Sequence, residues 1–351
     1  MTTFSSQWVK WALIATAVVV TAAVGYTAWS IWSAYRTVEG ISQLEFDPAQ
    51  TREELSRTVE PEPEPVPVQE VEPETVDELR SFLIVGTDNR PGFPGDRADV
   101  IIVALVPGDE RPPVLFSLPR DLWIESPCIG TSVRINELLA GCGSEVTGPE
   151  LLAVAVEDFI DNPIDHFALI DFAGFESVVD AFGGVGICLE YAIRDPKVDF
   201  EGTILPAGCS NATGAQALAW VRSRRTLEYV DGIGWRTQPG VNDLVRNQRQ
   251  QDLLFALLGK VGSFRDVTRL GALAQSVASA VVLDDDLSVK EAVLLAWQMR
   301  ALEPEDVIRL TVPVEYHITG GGASVLRPTG DFADMVRLSL TGLASADSNA
   351  A

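Results

Sequence analysis

Carboxylate and arginine side chains are the residues whose types and spacing in this sequence could carry out chemistry. Asp88 and Asp99 flank a loop rich in glycine and proline, GTDNRPGFPGDRAD, that follows a short apolar run. Two carboxylates that face one cavity can share a hard cation such as Mg²⁺ together with substrate phosphates. The alternative for this loop is a polar surface segment with exposed ion pairs, and the loop by itself leaves both interpretations open.

Cationic and amide side chains gather near the ends of several other predicted elements. The stretches LFSLPRDLW, SVRINELLAGCG, WVRSRR and RNQRQQDLL carry most of them. Residues four apart share one face of a helix, and residues two apart share one side of an extended segment. Arginine clusters with a metal are the usual binding site for phosphoryl groups, so we predict a polyanion site. Its members are Arg97, Arg120, Arg134, Arg222, Arg224, Arg246 and Gln250, with Arg249 on another helix face.

Charge and composition exclude several classes of protein. The 351 residues include 50 acidic and 26 basic side chains, for a formal net charge of −24. That balance argues against binding to nucleic acid, which needs a basic footprint. The sequence contains no G-x-S-x-G elbow, no HExxH and no Walker A motif, and it has only 2 histidines. Carboxylate and arginine chemistry is what remains.

Four cysteines indicate the compartment of the folded part. They form no CxxC pair, so a zinc site is disfavoured, and two disulfides fit an oxidising compartment. Three pairings are possible. Proximity in the sequence favours Cys128–Cys142 and Cys188–Cys209.

The N-terminal 79 residues are predicted to anchor the rest of the chain. After a short cytoplasmic end at 1–10, an apolar segment at 11–33 has the length of a transmembrane helix with tryptophans near both ends. A cleaved signal peptide is the alternative. Residues 34–79, acidic and rich in proline, are predicted to form an extended linker, with a proline-rich docking site as the alternative.

Residues 80–343 have the pattern of a globular α/β domain, and a disordered tail is predicted at 344–351. Short apolar runs such as SFLIVG, DVIIVALV and PVLFSLP predict buried strands. Amphipathic runs such as GPELLAVAVEDFI and NDLVRNQRQQDLLFALLGKV predict helices. Their alternation indicates a sheet with helices on both faces, in which ligand-binding residues lie at the carboxyl ends of strands.

An ordered series of motifs resembles the LytR–CpsA–Psr family of membrane-anchored enzymes of bacterial envelopes. The motifs are VGTDNR, DRAD, FSLPRD, RINELLAGCG, IDHFALIDFAGFESVVDAFGGVGICL, GAQALAWVRSR and RNQRQQDLL, and they span residues about 80 to 342. The resemblance implies a single α/β/α sandwich with a central mixed β-sheet. It places that domain outside the cytoplasm, held at the cell membrane by one N-terminal transmembrane helix.

The resemblance also implies an activity. Family members transfer a glycopolymer from a polyprenyl-diphosphate carrier to peptidoglycan or another cell-wall acceptor, with Mg²⁺ as cofactor. By resemblance, Asp88 and Asp99 match the metal-linked aspartates, and one of them is a candidate to receive the acceptor's proton. Arg97, Arg120, Arg222, Arg224 and Arg246 match the pyrophosphate-binding arginines, with Gln250 beside them and Arg120 also a candidate catalytic residue.

The sequence departs from the family pattern at two places, and two other functions are compatible with the same motifs. Arg134 stands where the family often has lysine, and residues 226–242 form a longer loop whose Tyr229 and Trp235 could contact sugar or simply lie on the surface. An envelope pyrophosphatase acting on the same lipid is one alternative function. A non-catalytic, membrane-anchored binding or regulatory module is the other. The motifs leave open which glycopolymer is transferred.

Overall fold

The computed structural model describes residues 25–58, 79–88, 97–143, 146–196, 205–239, 243–263 and 268–341. The described residues therefore exclude most of the predicted transmembrane segment 11–33, the proline-rich part of the predicted linker at 59–78, and the predicted tail. Within the described ranges, no helix is both long enough and apolar enough to span a bilayer.

The secondary structure alternates strands and helices along most of the chain. The strands are β1 (Ser42–Leu44), β2 (Arg80–Thr87), β3 (Ala98–Val106), β4 (Val114–Ser117), β5 (Trp123–Glu125), β6 (Ser132–Arg134), β7 (His166–Asp171), β8 (Val185–Leu189), β9 (Ala192–Arg194), β10 (Gly208–Ala212), β11 (Leu227–Val230), β12 (Gly234–Thr237), β13 (Val281–Asp284), β14 (Ile308–Thr311), β15 (Val314–Ile318) and β16 (Ser324–Pro328). The helices are α1 (25–38), α2 (Pro48–Thr58), α3 (Gly148–Ile160), α4 (Phe172–Ala181), α5 (Gly214–Arg222), α6 (Asp243–Ser263), α7 (Leu270–Ala280), α8 (Val289–Met299) and α9 (Phe332–Leu340), with 3-10 turns at Ile135–Ala140 and Pro304–Asp306.

A mixed sheet forms the centre of the described part. Its seven strands run in the order β1-β13-β7-β2-β3-β4-β14. β2 pairs parallel to β7 and antiparallel to β3, while β4 pairs antiparallel to β3 and parallel to β14. The predicted mixed α/β architecture is confirmed.

Alternation along β2 explains why both faces of this sheet are covered. Leu83 and Val85 point into the main core, where they meet apolar residues of α3 and α9. Phe82 and Ile84 point the opposite way, into smaller clusters that include residues of α6, α7 and α8. Because successive side chains of a strand face opposite sides, an apolar run of this length requires helices on both faces.

The folded part begins earlier than the sequence pattern predicts. Residues 34–58 were predicted to belong to the linker, but β1 pairs in parallel with β13 at one edge of the sheet. Phe46 is buried in the main core and stacks on Phe167, with ring centroids 5.4 Å apart. Arg52 of α2 forms ion pairs with Glu157 and Asp158 of α3. A few well-placed apolar and charged side chains thus dock a segment that looks polar on average.

Two disulfides brace loops around the sheet. They join Cys128 to Cys142 and Cys188 to Cys209, which is the pairing favoured by proximity in the sequence. The second lies across the antiparallel pair β8–β10. The first closes a segment that contains β6 and the following 3-10 turn, and this segment carries Arg134.

Candidate functional site

The ends of β2 and β3 bring the two predicted aspartates to the same edge of the sheet. Thr87 pairs with Ala98, and the register shifts between Gly86 and Thr87. Asp99 is therefore the extra residue of a β-bulge, and Asp88 directly follows the end of β2. Bulges of this kind re-aim side chains at strand ends next to functional sites.

Arg120 joins this edge because β4 ends three residues before it. The chain leaves β4 at Ser117, and the Leu118 amide donates to the Ile101 carbonyl of β3 at 2.9 Å. This hydrogen bond carries the following turn toward the start of β3. Nη1 of Arg120 then donates to Oδ1 of Asp99 at 2.5 Å.

Asp121 is the hub of the arginine cluster. Its carboxylate lies 3.8 Å from Nε of Arg120, 3.5 Å from Nε of Arg134 and 3.3 Å from Nη2 of Arg224. Three cations from three separate segments therefore converge on one carboxylate. Converging guanidinium groups of this kind are the usual donors to phosphoryl oxygens, which could displace the carboxylates as partners.

The turn after α5 carries Arg222 as well as Arg224. A capping box between Thr213 and Gln216 begins α5, and the helix ends at Arg222 because Ser223 adopts an extended backbone, with φ −63° and ψ 125°. Nη2 of Arg222 lies 3.3 Å from Oδ2 of Asp88, while Arg224 reaches Asp121. The two arginines flank a buried serine, so both reach the cluster while Ser223 points into the protein.

A buried carboxylate holds this turn in place. Oδ2 of Asp195, whose residue is 1% exposed, accepts from the Ser223 hydroxyl at 2.7 Å. The same oxygen accepts from the backbone amides of Arg224 and Arg225 at 3.1 and 2.9 Å. These bonds satisfy backbone donors at the end of α5, so the positions of Arg222 and Arg224 are set by packing rather than by a flexible loop.

The first turns of α6 carry two further residues that were predicted to belong to the site. Arg246 and Gln250 are 4% and 5% exposed, so both lie in the interior. Nδ2 of Asn247 donates to the Ser117 carbonyl at 3.1 Å, which fastens α6 to the end of β4 just before Arg120. The prediction that Arg246 and Gln250 lie away from bulk solvent agrees with this burial.

Arg249 serves a different purpose, as its place on another helix face indicates. Its Nη1 donates to the carbonyls of Trp220 and Ser223 and to the Thr226 hydroxyl, and its Nη2 donates to Oε1 of Gln238. Burial lowers the pKa of its guanidinium to about 10, against an opposing attraction to Asp195. Arg249 is therefore still a cation at neutral pH and ties the turn after α5 to α6.

An apolar pocket opens directly beside the charged cluster. It encloses about 160 Å³ and lies between the sheet and helices α4, α5 and α6. Its lining is Ile84, Gly86, Val100, Ile102, Ile170, Phe172, Phe175, Leu218, Val221, Gln250, Leu253, Leu254 and Leu257. Gly86 and Val100 stand next to the segments that carry Asp88 and Asp99. The guanidinium of Arg222 stacks 4.4 Å above the ring of Phe172, so pocket and cluster share a wall.

The structure brings most of the predicted site residues together. Asp99, Arg120, Arg134 and Arg224 form one ion-paired network through Asp121, Arg222 pairs separately with Asp88, and Gln250 lines the adjoining pocket. Arg97 is exposed just before β3 and forms no ion pair with any other described residue. Arg134 is also paired with Glu137 at 3.3 Å and donates to the Ser324 carbonyl, so it joins the network at its rim.

Three contributors were not among the predicted site residues. Asp121 directly follows Arg120 in the sequence, and the need to balance converging arginines was the signal that could have identified it. Asp195 carried no such signal, because its partners, one hydroxyl and two backbone amides, are 28 to 30 residues away. The apolar pocket is built from several elements whose side chains each look like ordinary core residues.

Hard oxygen ligands are present where a divalent cation was predicted. The carboxylates of Asp88 and Asp99 lie at neighbouring strand ends, and the hydroxyl of Thr87, the residue before Asp88, is buried with no hydrogen-bond partner among the described residues. No group of three or more His, Cys, Asp or Glu side chains in the described ranges could hold a metal ion. Two carboxylates plus phosphate oxygens and water nevertheless match the way proteins hold Mg²⁺, so the residues fit this ion as a ligand shared with substrate.

The sequence matches the model of the LytR_cpsA_psr family over residues 49–339. It is 33% identical over 205 residues to the polyisoprenyl-teichoic acid–peptidoglycan teichoic acid transferase TagU of Halalkalibacterium halodurans, covering 58% of this chain and 60% of that protein. It is 28% identical over 302 residues to the cell wall biosynthesis protein LcpA of Corynebacterium glutamicum, covering 74% of this chain and 53% of that protein. The chain thus spans less than two thirds of either relative's length.

Solved structures share the fold. A LytR-Csp2A-Psr enzyme from Actinomyces oris superposes with a TM-score of 0.57 at 25% identity, over 74% of this chain and 89% of that one. TagT bound to LIIa-WTA superposes with a TM-score of 0.57 at 22% identity, over 79% of this chain and 94% of that one. The second likeness concerns the fold alone.

Proposed function

Because the chain belongs to the LytR_cpsA_psr family, we propose that it transfers a glycopolymer from a polyprenyl-diphosphate carrier to peptidoglycan or another cell-wall acceptor. The product is a phosphodiester, and polyprenyl phosphate is released. Relatives named as a teichoic acid transferase and as a cell wall biosynthesis protein support this proposal.

The contact between Arg222 and Phe172 is the observation that carries the proposal. On one side of it lies an arginine cluster suited to a diphosphate, and on the other an apolar pocket suited to a hydrocarbon chain. In a polyprenyl diphosphate, a diphosphate group is joined covalently to a hydrocarbon chain. Arginine is the side chain best matched to phosphoryl oxygens, and burial of each CH₂ group contributes about 0.8 kcal/mol.

The proposed reaction needs no protein nucleophile. An acceptor hydroxyl oxygen attacks the phosphorus that bears the glycan, a new O–P bond forms, and the P–O bond to the lipid phosphate breaks. The hydroxyl proton passes to a carboxylate, for which we propose Asp99 or Asp88. The cluster around Asp121 holds the diphosphate oxygens and stabilises the charge that develops on the leaving phosphate. Positioning and electrostatics of this kind dominate phosphoryl transfer.

Asp88 and Asp99 would hold Mg²⁺ in this scheme, with the Thr87 hydroxyl beside them. A bound divalent cation supplies charge neutralisation at the diphosphate. Arg222 and Arg120, which pair with the same two carboxylates, would then turn toward the phosphate oxygens.

We further propose that the domain works outside the cytoplasm, at the cell membrane. The two disulfides support an oxidising compartment, since such bonds persist outside the reducing cytosol. The apolar sequence at 11–33 supports a single anchoring helix.

The test is a transfer assay on the full chain in detergent micelles with labelled lipid-linked glycan, with and without peptidoglycan. We expect label in the peptidoglycan and release of polyprenyl phosphate only when the acceptor is present. Leu254→Gln, which places an amide in the pocket, should weaken binding of the long-chain lipid about tenfold, or about 1.4 kcal/mol. Leu294→Gln, the same change at an exposed position of α8, is the matched control.

If glycan phosphate is released whether or not the acceptor is present, the protein is a pyrophosphatase rather than a transferase. Binding without turnover in the parent protein would make the chain a binding or regulatory module. Equal effects of the two leucine substitutions would remove the pocket from the lipid-binding site.

A further inference from the structure

A small β-hairpin beside the arginine cluster presents aromatic side chains to solvent. Tyr229 of β11 and Trp235 of β12 pair directly across the hairpin, and their ring centroids are 5.4 Å apart in an edge-to-face arrangement. The guanidinium of Arg194, from the adjacent strand β9, stacks 4.4 Å above the ring of Trp235. Tyr229 is nevertheless 45% exposed. One ring of the group is thus braced by its neighbours and open to a ligand.

The opposite face of the same sheet is packed into the protein. Ile193 and Glu228, which pair across β9 and β11, are 2% and 3% exposed. Nη2 of Arg236 neutralises Glu228 at 2.6 Å. Because strand side chains alternate between faces, this inward packing fixes the outward direction of Tyr229 and Trp235.

The hairpin is also tied to α6, the helix that carries Arg246 and Gln250. Its two ends meet where the Gln238 amide donates to the Thr226 carbonyl at 2.9 Å. The side chains of these two residues both accept from Arg249 of α6. Arg249 lies between Arg246 and Gln250 in sequence, so the aromatic face keeps a defined position relative to the cluster.

Chain geometry places the aromatic face within reach of a ligand bound to the cluster. Tyr229 lies five positions after Arg224 in the chain, which limits their Cα separation to about 18 Å. The part of α6 that lines the pocket runs from Gln250 to Leu257. The hairpin is attached to α6 at Arg249, whose side chain points about 100° away from that of Gln250 around the helix axis. A molecule whose hydrocarbon tail occupies the pocket and whose phosphates occupy the cluster therefore has its remaining part free to reach the hairpin.

We propose that the outward face formed by Arg194, Tyr229 and Trp235 binds the first sugars of the saccharide attached to the lipid diphosphate. The inference rests on the proposed function, since it extends the same ligand beyond its phosphates. The ring of Tyr229 stacks on the C–H face of a pyranose or furanose, and its hydroxyl exchanges hydrogen bonds with sugar hydroxyls. Arg194 holds Trp235 in place and offers its remaining N–H donors to the same saccharide.

The experiment compares two soluble ligands of the full chain, a short prenyl diphosphate and the same molecule carrying a disaccharide. We expect Tyr229→Ala/Trp235→Ala to weaken binding of the sugar-bearing ligand about tenfold and to leave the sugar-free ligand unchanged. Tyr229→Phe should retain most of the affinity because it keeps the stacking ring. Trp297→Ala is the matched control, since Trp297 is an exposed tryptophan under a stacked Arg300, 4.1 Å away, on α8.

Each other outcome has a distinct meaning. Equal weakening for both ligands would make the hairpin a support for the arginine cluster and overturn the sugar site. Loss of binding only to a soluble peptidoglycan fragment would assign the face to the acceptor, and loss of binding only to lipid vesicles would assign it to the membrane. Either result overturns the proposal. If the parent binds neither diphosphate, or Arg222→Ala changes neither affinity, the proposed function itself fails.

Discussion

Arg249→Met is expected to destabilise the domain by about 3 kcal/mol while leaving its fold intact. The guanidinium makes four hydrogen bonds, three of them 3.2–3.4 Å long. The lower end of the range for charged donors, about 1.5 kcal/mol each, gives about 6 kcal/mol. Against this stands the cost of burial, which lowers the Arg249 pKa to about 10 and corresponds to about 3 kcal/mol that methionine regains.

Urea unfolding followed by circular dichroism measures this difference, and Arg249→Lys should fall between the variant and the parent. Hydrogen exchange of the amides in β11 and β12 should accelerate in Arg249→Met, because the hairpin ends lose their clamp. The effect should not change between about pH 6 and pH 8, since the guanidinium is charged throughout. If the methionine variant lies within about 0.5 kcal/mol of the parent and hairpin exchange is unchanged, the clamp does not exist.

Two further predictions concern stability. The hydrogen bond with Asp284 raises the pKa of His166, although burial opposes the shift. The interaction therefore stabilises the fold fully at pH values below the ordinary imidazole pKa, about 6.5. This stabilisation is lost as the pH rises through the raised pKa of the folded state. The melting temperature should therefore fall between about pH 6 and pH 8, and His166→Gln should flatten that slope; an unchanged slope would contradict the pairing. Replacing Cys128 and Cys142 by serine should cost about 3 kcal/mol in non-reducing urea titrations, given the 14-residue separation. A reductant should then affect the variant less than the parent, and equal sensitivity would refute this account.

The sequence predicts the fold well wherever apolar periodicity is strong. GPELLAVAVEDFI coincides with α3, and SFLIVG and DVIIVALV lie within β2 and β3. The pattern could not predict β1, because three residues with one half-buried leucine carry little periodic signal. Their place is decided by pairing with β13, about 240 residues away. Similarly, nothing local in the sequence of β8 shows that this strand pairs with β10 in a separate two-stranded sheet.

The sequence predicted which types of residue form the candidate site, but it did not predict which of them pair with one another. Arginines near strand and helix ends indicated a polyanion site, and Arg120, Arg134 and Arg224 do converge on Asp121. Which carboxylate each one meets depends on how β4, α5 and β6 pack in three dimensions, so the sequence does not show which arginines Asp121 joins. The pocket escaped prediction because a cavity differs from a core only in how closely the surrounding helices approach.

The sheet order has a consequence for how the chain acquires its structure during synthesis. Both edges are completed by late segments, β13 pairing with β1 on one side and β14 with β4 on the other. Long-range parallel pairings of this kind are slow to form, since a large loop must close first. Until residue 311 is available, β4 remains an unpaired edge. The growing chain must therefore be kept from pairing with its neighbours until nearly all of it has been made.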